Sequence, residues 1–452
     1  MNSRTVNTPL IDALVRYGDY DTALAYVQEA LVVRPSDGDL MLRMGQLQLT
    51  LGQFAGAESA LLKARRLMPD NSRVYDELAA LYVTEGQPRA AIGVYEQAIR
   101  IQPAEAGHYL GLSQLWLGQG EYDQALTVLK NALPLVSRPG DIFIALSTLY
   151  AQQGELALAE ETLVQGIAQV GESTPLLLAL GRHYLSRADY TTAQAQFKRV
   201  LELHNDEAAA YAALGDLYLR RSDTTNAIVQ YQLALALEPD NPSYHLNLGD
   251  AYAAATRPGE AQAAYNEALT LLPTLENVYI SLANFYEAQE KWAEAEATYQ
   301  RGLVMAPTSS RIYIQYANLL MAQERPAEAV ALLDTAVQRL PTASSFIARA
   351  TLFTQTGQTD AAIQDLQRAL TQSPGSIDAL VALGDLYRQQ DNVTEAEKVY
   401  QSVVNLMPGV PIGYLRLGAL AGAQGDLEAA QRYADIARAI EPQIARPDDV
   451  AQ

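Results

Sequence analysis

The stretch YAALGDLYLRRSDTTNAIVQYQLALALEP, Tyr211–Pro239, decides the fold. It carries three landmarks twelve residues apart: the small residue Gly215, then Ala227, then Pro239. The same landmarks recur along the whole chain. Alanine stands at Ala23, Ala57, Ala91, Ala125, Ala159, Ala193, Ala227, Ala261, Ala295, Ala329, Ala362, Ala396 and Ala430, with eleven gaps of 34 residues and one of 33. Proline follows ten of these alanines by twelve residues, and a second small residue precedes all but the first by twelve, where Ile11 stands instead. Proline cannot continue a helix, so each one marks a helix end. Between the two small positions the chain turns, often at glycine (Gly18, Gly52, Gly86, Gly120, Gly154, Gly357, Gly425), and Pro88, Pro258 and Pro326 open the helix that follows. Each repeat therefore reads as helix A, a short turn, helix B and a loop. The small residues permit close approach of the two helices.

Larger apolar residues fill the remaining core positions. Leucine precedes the helix-A small residue in most repeats (Leu78, Leu214, Leu248, Leu383), and an aromatic follows it by three (Tyr82, Trp116, Tyr218, Tyr252, Tyr387). Helix B places Tyr95, Phe197, Tyr231, Tyr265, Tyr299 and Tyr400 four residues after the alanine, on the same face. In order, repeat seven shows Tyr211, Leu214-Gly215, Tyr218, Ala227, Tyr231, Ala234 and Pro239. This pattern resembles the tetratricopeptide repeat, with tyrosine or phenylalanine at the first aromatic position in place of the family's usual tryptophan. The resemblance covers thirteen repeats over residues 4–444, leaving short tails at 1–3 and 445–452 and no room for a second domain. It implies an all-α, right-handed superhelical solenoid whose A helices line a concave groove and which exceeds one superhelical turn.

Composition bounds the partners. The 452-residue chain has 32 Lys plus Arg against 52 Asp plus Glu, a formal charge of −20, which opposes nucleic acid and anionic lipid. The acidic residues are spread evenly and form no tail. Mean hydropathy is −0.07 and no apolar run is long enough to span a membrane. There is no cysteine, and the first nine residues lack the apolar core of a secretory signal, so a cytoplasmic location is expected.

The pattern breaks in a few places. Repeats four, five and six put Ser137, Gly171 and Asn205 where the closing proline belongs, repeat four adds Pro134 and Pro139, and repeat five has Gly166 at a packing position. A bend or soft joint is expected over 134–174. The single 33-residue gap places one deletion in the loop after Pro341. At the ends, Leu10, Ile11, Leu14 and Val15 make the first helix apolar, while Ala437 and Arg438 lie on the last, the arginine replacing an aliphatic as a partial cap. Three outcomes fit: the ends pair with another copy, the chain is a segment of a longer one, or the exposure is tolerated.

Chemistry is sparse. His108, His183, His204 and His245 share no metal-ligand spacing. No phosphate-binding glycine motif is present, and Glu160-Glu161 and Asp206-Glu207 fall on exposed or capping positions. No cofactor, metal or enzymatic activity is expected. The one sequon, Asn392-Val393-Thr394, places Thr394 as an N-cap.

The groove is the informative surface. One residue after each helix-A small position, the column includes Asp12, Gln46, Asp216, Asp250, Asn284, Asn318 and Asp385; four residues before that column stands a mostly aliphatic one including Leu246, Ile280 and Ile314. These ribs suit an extended or helical peptide, and some of the aliphatics fit equally well between adjacent A helices. All five lysines fall on helix B, against the carboxylate clamp of chaperone-binding relatives, and Asn247, Asn284 and Asn318 are too few for the asparagine ladder of glycosyltransferase-linked ones. The expectation is a non-enzymatic scaffold holding a protein or peptide segment in repeats seven to twelve, basic by complement to Asp216, Asp250 and Asp385. Two alternatives stand beside it: head-to-tail self-assembly into a filament, and recruitment arm of a larger enzyme.

Overall fold

The computed structural model describes residues 8–441. Among them every regular element is an α-helix, and the helices follow one another as thirteen A–B pairs, from Thr8–Arg16 with Tyr20–Val33 to Ile412–Ala423 with Leu427–Ile440. The fold is an all-α array of tandem helix pairs. The expected tails at 1–3 and 445–452 lie outside the described residues.

Local chemistry sets each helix boundary. The Asp37 carboxylate accepts the Leu40 N–H at 3.1 Å, and Asn71, Asn241, Thr342 and Ser376 cap other A helices in the same way. Helix B begins behind an aspartate in four repeats (Asp19, Asp189, Asp223, Asp426) and with proline as its first residue in three, at Pro88, Pro258 and Pro326. Thr394 does not cap: helix B of repeat twelve starts at Val393, so Asn392 holds the cap position and Thr394 lies in the first turn. The turn explains this correction. Its left-handed residue, Asp391, fixes the next residue as the cap, as Gly18 does for Asp19 and Ser222 for Asp223.

That turn residue is left-handed in every repeat. Seven repeats use glycine, and six use Ala188, Ser222, Thr256, Glu290, Glu324 and Asp391, at φ between 54° and 60°. For a residue with a Cβ this conformation costs roughly 1–2 kcal/mol, and Thr256 is β-branched as well.

Helix B ends two residues before the closing proline, as Leu67 does before Pro69 and Leu237 before Pro239. Repeat six stops at the same register, at Leu203, although Asn205 replaces the proline. A hydroxyl holds the loop in both cases. The Tyr75, Tyr109 and Tyr279 hydroxyls donate to the carbonyls of Pro69, Pro103 and Pro273 at 2.8–3.0 Å, and Tyr211 donates to Asn205 O at 3.1 Å. This bond accounts for tyrosine at the position where the family favours tryptophan. In repeat four Pro134 cuts helix B to Tyr122–Ala132, 11 residues where most repeats have 14.

Packing follows the landmarks. Twelve of the thirteen alanines are fully buried, Ala430 of the last repeat being the exception. The helix-A glycines make room for helix-B rings: a Cβ on Gly215 would sit 2.6 Å from Tyr231 Cε1, and on Gly249 2.6 Å from Tyr265 Cε1. Each ring is about 1% exposed, and burying it stabilises by about 3 kcal/mol. A second set of tyrosines joins neighbouring repeats, Gln194 and Gln232 donating to the Tyr218 and Tyr252 hydroxyls at 3.0 and 3.1 Å.

Repeat eleven (Ala343–Gln355 and Thr359–Gln372) is built differently. Arg349 stands where Leu214 or Leu248 packs in other repeats, and Leu366 replaces the helix-B ring. The Arg349 guanidinium donates to both oxygens of Asp365, at 2.7 and 2.8 Å, and to Asp334 at 2.8 Å. Asp365 is 3% exposed and Arg349 14%.

The chain divides into two compact bodies. Among the described residues, one comprises 8–115, 127–144 and 163–312, and the other comprises 116–126, 145–162 and 313–441.

Candidate ligand groove

The glycine that admits a helix-B ring also lets its hydroxyl reach the next helix-A residue. Tyr231 donates to Asp216 Oδ1 at 2.6 Å, Tyr265 to Asp250 Oδ1 at 2.8 Å and Tyr400 to Asp385 Oδ1 at 2.7 Å. The Tyr299 hydroxyl lies 3.0 Å from both Asn284 Oδ1 and Glu287 Oε1, which share its one proton. The acidic column is thus a ladder of carboxylates anchored from behind by tyrosines fifteen residues later. Repeat three, with Ala80 in the column, moves the bond one turn back, from Tyr95 to Asp76 at 2.7 Å.

Burial changes the chemistry of these groups. It pushes the Asp216 and Asp250 carboxyls above the usual range, with the tyrosine hydrogen bonds opposing it. It raises the Tyr231, Tyr265 and Tyr299 hydroxyls, and takes Tyr400 up to about 12 with Asp385 adding to the effect. The aspartates differ in their cations. Arg182 and Arg220 draw Asp216 downward, Arg416 Nε lies 3.0 Å from Asp385 Oδ1, and Arg43 pairs with Asp12. No cation acts on Asp250; its two influences besides burial are the Tyr265 and Ser281 hydroxyls.

Residues of the sequence columns line three clefts, two in the first body and one in the second; Asp12 and Gln46, with Arg43, line the one of about 710 Å³ at the first three repeats. In the first body, Asp250 and Asn284 line a cleft of about 550 Å³ between the helices of repeat eight (Pro242–Ala254 and Pro258–Leu271) and helix A of repeat nine (Glu276–Glu287), with Thr256, Tyr265, Ser281 and Phe285 completing much of its wall. In the second body, Ile314 and Asn318 line a cleft of about 370 Å³ with Met321, Ile347, Thr351 and Asp378. Asp216 lies on helix A of repeat seven (Ala208–Arg220) and Asp385 on that of repeat twelve (Ile377–Gln389), and neither lines a cleft wall. Leu246 and Ile280 are 7% and 8% exposed, so they pack between A helices, whereas Ile314 is partly open. Thr256, Ser281 and Phe285 were outside both columns. Phe285 follows Asn284 directly, which is the one signal that could have flagged it.

At the ends, Leu10 and Leu14 are half-buried, Ile11 is 2% exposed and Ala437 is fully buried. Arg438 pairs with Asp435 at 3.0 Å. Among the described residues no cluster of His, Asp or Glu has a metal-binding arrangement, and no helix is long and apolar enough to cross a membrane. His108 is buried against Gln102 Oε1 at 3.0 Å, and His245 bonds the Pro239 carbonyl at 2.8 Å, the loop-tying role tyrosine has elsewhere.

A family model described as "Tetratricopeptide repeat" matches residues 14–81, 82–138, 289–349 and 353–411, which together exceed half the chain; related models match 242–274 and 215–255. Residues 139–214, which hold two of the three repeats without a closing proline, fall outside these matches. Among solved structures, yeast Tom70 is 16% identical, with 92% of this chain and 98% of that one covered and a TM-score of 0.45. The Cut9-Hcn1 hetero-tetramer of APC/C is 14% identical, with 97% and 94% covered and a TM-score of 0.36. A tetratricopeptide repeat protein from Parabacteroides merdae is 20% identical, with 55% and 98% covered and a TM-score of 0.41. A search of curated proteins gave no match.

Proposed function

Because this chain belongs to the tetratricopeptide repeat family, a family of protein-interaction scaffolds, we propose that it holds a protein or peptide segment against its A helices in repeats seven to twelve. The observation that supports this is the coincidence of the sequence columns with clefts: Asp250 and Asn284 line one, Ile314 and Asn318 another. Apolar wall and anchored polar groups alternate there, as a segment with mixed side chains requires. The reading is non-enzymatic and needs no cofactor. The ligand is basic, because the column offers carboxylates and the chain carries a charge of −20.

The absence of cysteine makes the test direct. Single cysteines at Asn284, at Asn318, or at exposed Val229 on helix B would each carry a photo-crosslinker. The expected result is partner capture from Asn284 and Asn318 but not from Val229, competed by excess partner. Equal capture from all three positions, or capture from Val229 alone, would refute binding on the helix-A face.

Self-association is a separate reading, favoured by Leu427, 74% exposed on the last helix B. Mass measured by light scattering would rise with concentration if it holds, and Leu427→Glu would abolish the rise. A concentration-independent monomer would rule it out.

A further inference from the structure

The column of groove aspartates is uniform in sequence and not in charge balance. Asp12, Asp216 and Asp385 each have an internal arginine beside them. Asp250 has none, and no lining residue of its cleft is basic. The nearest cation in sequence, Arg257, is already engaged: its guanidinium pairs with Glu260 and lies over the Tyr252 ring, 4.7 Å from the centroid. Asp250 is therefore a carboxylate at a cleft wall with no positive group of its own.

Its hydrogen bonding is also incomplete. A carboxylate offers about four lone-pair sites, and Asp250 receives the Tyr265 hydroxyl at 2.8 Å and the Ser281 hydroxyl. The Gln289 amide nitrogen donates to the Phe285 carbonyl at 3.0 Å, and Asn284 Oδ1 takes the Tyr299 hydroxyl. The lining of the cleft carries no positive charge, and a ring, Phe285, flanks it. A planar cation with several donors supplies that charge, reaches the open lone pairs of Asp250 and stacks on a ring, where an ammonium offers a point charge only.

We propose that the cleft at Asp250 is a subsite for one arginine side chain of the bound segment, its guanidinium meeting the Asp250 carboxylate beside the Phe285 ring. This rests on the helix-A binding reading above and makes it specific: the other groove aspartates are neutralised within the chain, and Asp250 waits for its cation from the ligand. Burial, which makes ionised Asp250 costly in the free protein, adds to the gain when that cation arrives.

The test uses the full chain and labelled, end-blocked degenerate heptapeptide pools whose central residue is fixed as arginine, as citrulline (its neutral isostere) or as lysine. Fluorescence anisotropy reads affinity. The arginine pool is expected to bind about 10- to 100-fold tighter than the citrulline pool, the range of one charge-assisted contact. That gap should collapse in Asp250→Asn and persist in Asp216→Asn and Asp385→Asn. Asparagine keeps an oxygen for the Tyr265 hydroxyl, and an unchanged circular dichroism melt would show that Asp250→Asn folds. Equal binding of the arginine and citrulline pools, or a gap that survives Asp250→Asn, overturns the subsite and leaves the groove reading standing. A gap lost equally in all three variants overturns the assignment to Asp250. Lysine matching arginine overturns the choice of a guanidinium. Failure of every pool to bind overturns the groove reading and the subsite with it.

Discussion

Repeat eleven replaces an apolar contact by a buried ion pair, and the replacement can be undone. Arg349 at 14% exposure grips Asp365 at 3% through two parallel bonds of 2.7 and 2.8 Å. Most other repeats place leucine at the first position, and repeats two and eight have alanine at the second, at Ala60 and Ala264. Arg349→Leu removes both close bonds to the Asp365 carboxylate and leaves Arg368, whose nitrogen is 3.7 Å away on a 60% exposed side chain. An uncompensated buried charge of this kind costs about 3–5 kcal/mol. Asp365→Ala is milder, about 2 kcal/mol, because Arg349 keeps Asp334 at 2.8 Å on a half-exposed carboxylate. The double variant Arg349→Leu/Asp365→Ala restores the apolar pair and is expected within about 1 kcal/mol of the parent, or more stable. The coupling between the two changes is then several kcal/mol. A thirteen-repeat array does not melt in one step, so a global midpoint would dilute the effect. Hydrogen exchange on peptides from Ala343–Gln372 reads it locally, as opening free energies for the two helices. If Arg349→Leu alone costs less than about 1 kcal/mol, or the double variant opens as readily as that single one, the pair does not hold repeat eleven together and the reasoning fails.

Four further outcomes can be checked in the same way. Thr256→Gly relieves a β-branched left-handed residue at φ 54° and should stabilise repeat eight by about 0.5–1 kcal/mol; destabilisation would show that the strain is absent. Gly215→Ala drives a methyl to 2.6 Å from the Tyr231 ring, so exchange over Ala208–Leu237 should speed up by an opening cost of about 1–2 kcal/mol despite alanine's better helix propensity; unchanged exchange would show that the helices give way freely. Asp250→Asn should be more stable than the parent near neutral pH, by about 1 kcal/mol. The folded carboxyl lies above its unfolded value, so the parent is most favoured below the unfolded value and loses stability as pH rises through the folded one. The advantage of asparagine should accordingly vanish below about pH 4, and an advantage independent of pH would refute the charge argument. Over 134–174, where Pro134 shortens helix B of repeat four, amides should exchange faster than over 208–237; equal protection would remove the soft joint.

The period of 34 residues made the helix pairs legible, because one small residue per repeat can recur only if one contact recurs. The hydroxyl ladder was legible too, although only as two separate columns: Asp216 and Tyr231, Asp250 and Tyr265, Asp385 and Tyr400 all stand fifteen residues apart. Arg349 is the one arginine in the leucine column, a departure that went unread because the column was followed only where it held. Other features were not legible, for physical reasons. Leu246, Ile280 and Ile314 share a column, yet the first two are covered and the third is partly open, because exposure depends on how closely the neighbouring A helix approaches. The charge balance of Asp250 was hidden as well. It depends on which arginines reach an aspartate through space, and Arg182 reaches Asp216 from a different repeat. The cap at Asn392 follows from the turn conformation of Asp391, since asparagine and threonine are both N-cap residues and only the turn fixes which of the two starts the helix.

The tyrosine bonds have a consequence for how the chain is made. They link residues between 6 and 24 positions apart, always within a repeat or to the next one. A ribosome adding roughly 5–20 residues per second delivers one repeat in about 2–7 s. Each hydroxyl thus meets its partner within one further repeat of synthesis, before much later sequence exists to compete for it. The array can be finished from its N-terminal side as it emerges, and a nascent chain halted in repeat ten would already carry the Asp250 cleft, built only from repeats eight and nine.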